Sequence, residues 1–123
     1  MNVGDVFQVR HPWVVVSKSE DGLAVVFNWT TYRPGTPGSD STCVLQVGDH
    51  PRITHPSNIY YAKGKVLDAA LQADIEREAP FLARMDGAVV HRIRVGALES
   101  EYTPQGAQRL IAEFEAVRTR RKG

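Results

Sequence analysis

Over the first sixty residues the apolar positions come in short runs separated by turn-forming residues, and beyond them they fall at helical spacing. Val6–Val9 is a first run, and Pro12 marks a strand start or an edge, because proline cannot donate to a ladder. Trp13-Val14-Val15-Val16 is continuous and largely β-branched, the pattern of a strand buried on both faces. Ser17–Gly22 supplies a turn whose reversal point is Asp21-Gly22, and Leu23–Trp29 returns. The stretch Arg33–Asp40 is too rich in Gly and Pro to be anything but a loop. Thr42–Val47 alternates, setting Cys43, Leu45 and Val47 on one face of a strand and Thr42, Val44 and Gln46 on the other. Gly48-Asp49 turns the chain, and Asn58-Ile59-Tyr60-Tyr61 is a last short strand. About five short strands with tight connections predict a small barrel over residues 1–65.

The period then changes. Leu67, Leu71 and Ile75 stand at i, i+4 and i+8, a helix stripe that Pro80 breaks or kinks. Ala88–Leu98 fits either period: Val89, Ile93 and Ala97 suit a helix, and Val89, Ile93 and Val95 opposite Arg92 and Arg94 suit a strand, with the helix favoured. Thr103 is placed to cap a final helix, with Pro104 in its first position and Ala107, Leu110, Ile111, Phe114 and Val117 on its apolar face. The expected fold class is α+β: a β-barrel in the N-terminal half with C-terminal helices packed on it. Residues 1–123 form a single domain, with 66–119 as a helical extension and 120–123 as a basic tail.

Composition narrows the partners. The 123 residues are 42% apolar and 24% charged with a net charge of +1, so any anion site must be local. The cluster Arg118-Thr119-Arg120-Arg121-Lys122 reads as a solvated tail. Cys43 is the only cysteine, which rules out an internal disulfide and suits a reducing compartment. Met1–Asp5 lacks the basic-then-apolar pattern of a signal peptide, and no apolar run approaches the roughly 20 residues of a membrane helix. A cytoplasmic protein without membrane contact is expected.

The order Gly4-Asp5-Val6, then His11-Pro12-Trp13-Val14-Val15-Val16-Ser17, then an apolar strand ending in Thr30, resembles the PemK/MazF family of toxin ribonucleases over roughly residues 4–61. The resemblance implies an SH3-like barrel with a helical extension, a homodimer, a cognate antitoxin as partner, no cofactor, and metal-independent endonucleolytic cleavage of single-stranded RNA. The family's catalytic arginine precedes the proline of the second strand, where this chain has His11. Its catalytic threonine closes the next strand, which matches Thr30, with Thr31 adjacent.

The chemistry stands on its own terms. Metal-free RNA cleavage drives the 2′-hydroxyl onto its own phosphate and needs a proton acceptor, a proton donor for the departing 5′-oxygen, and donors for the charge on phosphorus. A histidine exchanges protons near neutral pH, so His11 is a candidate base or acid. Thr30 and Thr31 can donate to phosphate oxygens, and Arg10 or Arg33 can supply positive charge. Trp29 and Tyr32 are candidate stacking faces for unpaired bases, with Trp29 equally at home in the core. His50 is open between a second proton-transfer group and a brace for the Asp49-His50-Pro51 turn. Two further readings are a non-catalytic SH3-like barrel that binds a peptide or nucleic acid, and a metal-assisted hydrolase built on Cys43, Asp49, His50 and His55. No metal-ligand spacing supports the last, and Cys43 on an apolar strand face reads as a small, inert core residue.

Overall fold

The β-branched runs do form the sheet, and its order follows from three consecutive hairpin partners. The computed structural model describes residues 1–37 and 39–122. Strands β1 (Val6–Val9), β2 (His11–Lys18) and β3 (Ala24–Thr31) form an antiparallel meander. β1 and β2 reverse at Arg10, with Val9 already paired to His11, and this tight turn puts Arg10 at φ 65°. Arg10 is the one non-glycine residue with positive φ among the described residues, a conformation that costs a side-chain-bearing residue about 1–3 kcal/mol. A bulge between Val15 and Ser17 lets Val14, Val15, Val16 and Ser17 all be buried.

Two strands share the outer edge of β3. Strand β5 (Ser57–Ile59) pairs with Trp29–Thr31, and β6 (Lys65–Leu67) pairs with Ala24–Val26. Between them the chain makes a 3-10 turn at Tyr61–Lys63, and Tyr60 N–H still donates to Asn28 O at 3.0 Å. Strand β4 (Val44–Leu45) extends β5, and β7 (Phe81–Leu82) extends β1, giving the order β4-β5-β3-β2-β1-β7 with β6 beside β3. The protein is therefore α+β, with an open antiparallel sheet of seven strands in place of the expected closed barrel.

Helices cover both faces. α2 (Gly87–Glu99) and α3 (Gln105–Lys122) bring Val90, Ile93, Ala97 and Ile111 onto Val14, Phe27, Leu45, Ile59 and Tyr61, the main core. α1 (Ala69–Glu78) lies over the smaller cluster of Val15, Ala24, Val26 and Leu67 on the other face.

Several expectations are corrected by the chain's local chemistry. Thr42–Val47 is a strand only at Val44–Leu45, because Asp49 accepts from Gln46 N–H and turns the chain early, leaving Val47 exposed. Leu67 lies in β6 opposite Ala24, and α1 starts after Asp68, whose side chain accepts from Leu71 N–H. Leu71 is exposed, and the buried residue of α1 is Gln72, which donates to Gly22 O and Leu67 O and accepts from Lys18. The strand expected over Asn58–Tyr61 ends at Ile59, and residues 88–98 are helical. Thr103 makes no capping bond, since its hydroxyl is buried without a partner; the first turn of α3 closes on Pro104 O. β6 straddles residue 65 and β7 interrupts the helical half.

Candidate active site

Strand alternation decides which predicted residues meet. In the β2–β3 ladder Trp13 pairs with Asn28 and Val15 with Val26, and these project onto the α1 face of the sheet. His11 precedes Trp13 by two residues and Thr30 follows Asn28 by two, so both point to that same face, two residues beyond the last β2–β3 pair. Thr31 points the other way. It sits with Trp29 on the main-core side, where its hydroxyl meets His55 Nε2 at 2.8 Å, while His55 Nδ1 lies 3.2 Å from the Thr54 hydroxyl. Strand geometry thus divides the Thr30–Thr31 pair between two microsites.

The face with His11 carries a groove of about 300 Å³. Its floor is apolar, from Phe7, Val15, Val26 and Leu67, and its charged or ionisable side chains are Arg10, His11 and Lys65. Among the described residues no carboxylate lines it. Trp13 forms one wall, its indole N–H donating to Val9 O at 3.1 Å and Lys65 Nζ lying 5.9 Å from its ring centroid. Gln8 steadies the strained corner by donating to Arg10 O at 3.0 Å. His11, Arg10 and Lys65 are exposed, Thr30 is half-buried, and Asn28, paired with Trp13, is buried with its side-chain oxygen unpartnered.

The other predicted residues fall elsewhere. His50 is buried against Trp29, ring centroids 5.5 Å apart; its Nδ1 accepts from Arg52 N–H at 3.1 Å and its Nε2 donates to Ala83 O. Both nitrogens are engaged and solvent is excluded, so His50 braces the turn and has no free position for proton transfer. Trp29, at 5% exposure, offers no face to a base. Tyr32 is half-buried at the start of the Gly/Pro loop, its N–H donating to Pro56 O. Arg33 is exposed in that loop, held through its backbone by Ser39 and Thr36.

The metal reading loses its donors. Asp49 pairs with Arg92 at 3.2 Å, His55 meets Thr31, His50 is committed, and burial pushes the Cys43 thiol above its ordinary range. Among the described residues no group of three His, Cys, Asp or Glu is placed to hold a metal ion.

Residue-by-residue reading missed Trp13, Lys65, Asn28 and the Thr31–His55 pair. Asn28 had a signal, as the one polar residue inside Ala24–Trp29. Lys65 had none, since only the β3–β6 pairing, which sets it opposite Val26, brings its ammonium within reach of the Trp13 ring. No protein-family model matches the chain, and no curated protein or solved structure matches it. Among the described residues no helix is long and apolar enough to cross a membrane.

Proposed function

We propose that this protein is a PemK/MazF-like endoribonuclease that cleaves single-stranded RNA without a metal, at the open end of strands β2 and β3. The observation that carries the reading is the placement of His11 and Thr30 on one sheet face, beside a groove whose charged side chains are all cationic. A polyanion with exposed bases suits that surface: Arg10 and Lys65 attract phosphate, and Trp13 offers a ring on which a base stacks. His11 takes the proton of the attacking 2′-hydroxyl as the 2′-oxygen bonds to phosphorus and the P–O5′ bond breaks, the departing 5′-oxygen taking its proton from water at the open strand end; Thr30 donates to a phosphate oxygen, and Arg10 offsets the charge growing on phosphorus. Thr31 and His55 flank the strand end from the other face. The sharing of the β3 edge by β5 and β6 suits an SH3-like barrel left open, and that closer relation, the homodimer, the antitoxin partner and a cytoplasmic location belong to the same proposal.

The test is an RNA digest in EDTA followed by analysis of the ends. Internal attack predicts 2′,3′-cyclic phosphates, because water takes no part in the first step. Replacing Lys65 or Trp13 with Ala should weaken RNA binding, and a base lost from a stacking platform is worth about 1–3 kcal/mol. The apolar floor of the groove also favours a second reading, a binding module: RNA held but not cut by clean protein would select it.

A further inference from the structure

A second cleft, of about 340 Å³, lies between the loop after Tyr32, the chain just before β6, and the corner joining α2 to α3. Pro37, Ser39, Asp40, Tyr60 and Tyr102 line it, and none of these lines the groove at His11. Among the described residues Asp40 is the charged group of this lining. Its carboxylate accepts from Thr42 N–H at 2.9 Å, from the Thr42 hydroxyl and from the Ser100 hydroxyl at 2.7 Å. Ser100 Oγ in turn accepts from Tyr102 N–H at 3.2 Å, so one network ties the carboxylate to the backbone of the second tyrosine.

These donors are all neutral. They orient the carboxylate without cancelling its charge, and three bonds leave part of its acceptor capacity open. Burial alone would raise Asp40, but the Thr42 and Ser100 hydrogen bonds outweigh it and hold the carboxyl below its ordinary value. Among the described residues no lysine, arginine or histidine forms an ion pair with it. The Glu101 carboxylate, first through its hydrogen bond with the Tyr102 phenol and then through its charge, pushes that phenol up. Lys63 lies 5.9 Å from the Tyr60 centroid but is not part of the lining, so the protein's own ammonium does not fill the cleft.

A fixed anion without a counter-ion, between two tyrosines in one cleft, is the chemistry that recognises a cation with a flat face. Aromatic rings attract cations through their π faces, and a guanidinium both stacks on such rings and offers paired N–H donors to a carboxylate. We propose that the cleft between Tyr60, Asp40 and Tyr102 binds an arginine side chain presented by a peptide segment of a partner protein. The cleft exceeds a guanidinium group in size, which leaves room for the chain that carries it.

The test titrates the full-length protein with acetyl-Gly-Arg-Gly-amide, following backbone amide shifts. Saturable shifts at Ser39, Asp40, Tyr60 and Tyr102, with a dissociation constant of about 1 mM, are expected. The citrulline peptide, equal in shape but uncharged, should give none. Tyr102→Ala should weaken binding about fivefold or more; Tyr102 is 58% exposed, so this variant keeps its fold. Asp40→Asn should abolish binding. No response to the arginine peptide, an equal response to citrulline, or unchanged affinity in Tyr102→Ala overturns the proposal. Equal affinity for the lysine peptide overturns the guanidinium assignment, and equal affinity for free arginine amide overturns the peptide source. None of these outcomes depends on RNA cleavage.

Discussion

Position 96 admits no side chain. A Cβ on Gly96 would lie 2.2 Å from the Tyr61 hydroxyl and 3.2 Å from Cys43 Cβ. Tyr61 cannot retreat freely, because its hydroxyl donates to Ile93 O at 2.8 Å and its ring packs edge-on to Phe27. Gly96→Ala should therefore destabilise the protein by about 1–3 kcal/mol, although alanine is the better helix former by about 1 kcal/mol. Urea unfolding measures this, and a raised midpoint would contradict the packing described. Residues whose neighbours are close in sequence were legible at this scale. Cys43 reads as a core residue from its strand face, and it is buried. His50 was not legible, because its proton goes to Ala83, which only the folded chain brings near. Thr30 and Thr31 read as one constellation in sequence, while the two-residue period of the strand sends them to opposite faces.

The helices are joined by charge as well as by apolar contact. Arg94 of α2 has a side chain only 3% exposed, donates to Val16 O at 2.9 Å and to Glu115 of α3, and lies 4.9 Å from the Phe114 ring centroid. Arg94→Ala leaves Glu115 without this partner and removes the link to β2; breaking such a pair costs about 3 kcal/mol, read as a shift in unfolding midpoint. A cost under about 0.5 kcal/mol would show the pair to be a surface one. Burial alone would raise Glu115, but its bond to Arg94 and the charges of Arg94, Arg118 and His91 prevail and hold the carboxyl below its ordinary value. A depressed carboxyl stabilises the fold above its unfolded pKa and loses that contribution as pH falls through the folded one. The gap in urea midpoint between the native protein and Glu115→Gln should thus be full near neutral pH and shrink below about pH 4.5; a gap independent of pH would contradict this. The same arginine explains why residues 88–98 fitted two periods. Arg92 and Arg94 alternate with apolar residues as on a half-exposed strand, yet Arg94 is buried and neutralised by a helix the local pattern does not show. β4, β6 and β7, of two or three residues each, were missed or misplaced because pairing with β5, β3 and β1 defines them more than composition does.

In the whole molecule the sheet separates two chemistries. On the α1 face lies the cationic groove with His11, and the acidic, tyrosine-lined cleft forms where the loop after Tyr32 meets the α2–α3 corner. A net charge of +1 conceals that division, because composition sums what the fold keeps apart. The change from strand to helical period was legible from sequence. The open sheet was not, since closure depends on whether the edge strands β4 and β7 pair, and nothing in their own residues says so. The rate of single-stranded RNA cleavage in EDTA by the native protein, by His11→Ala and by Thr30→Ala decides whether the open end of β2 and β3 is a catalytic site. General acid–base groups contribute about 100- to 10,000-fold, so His11→Ala should lose at least two orders of magnitude. Thr30→Ala should also lose rate, with both variants still folded and still binding RNA. Full cleavage by His11→Ala, or cleavage by the native protein only when a divalent metal is supplied, would contradict the claim.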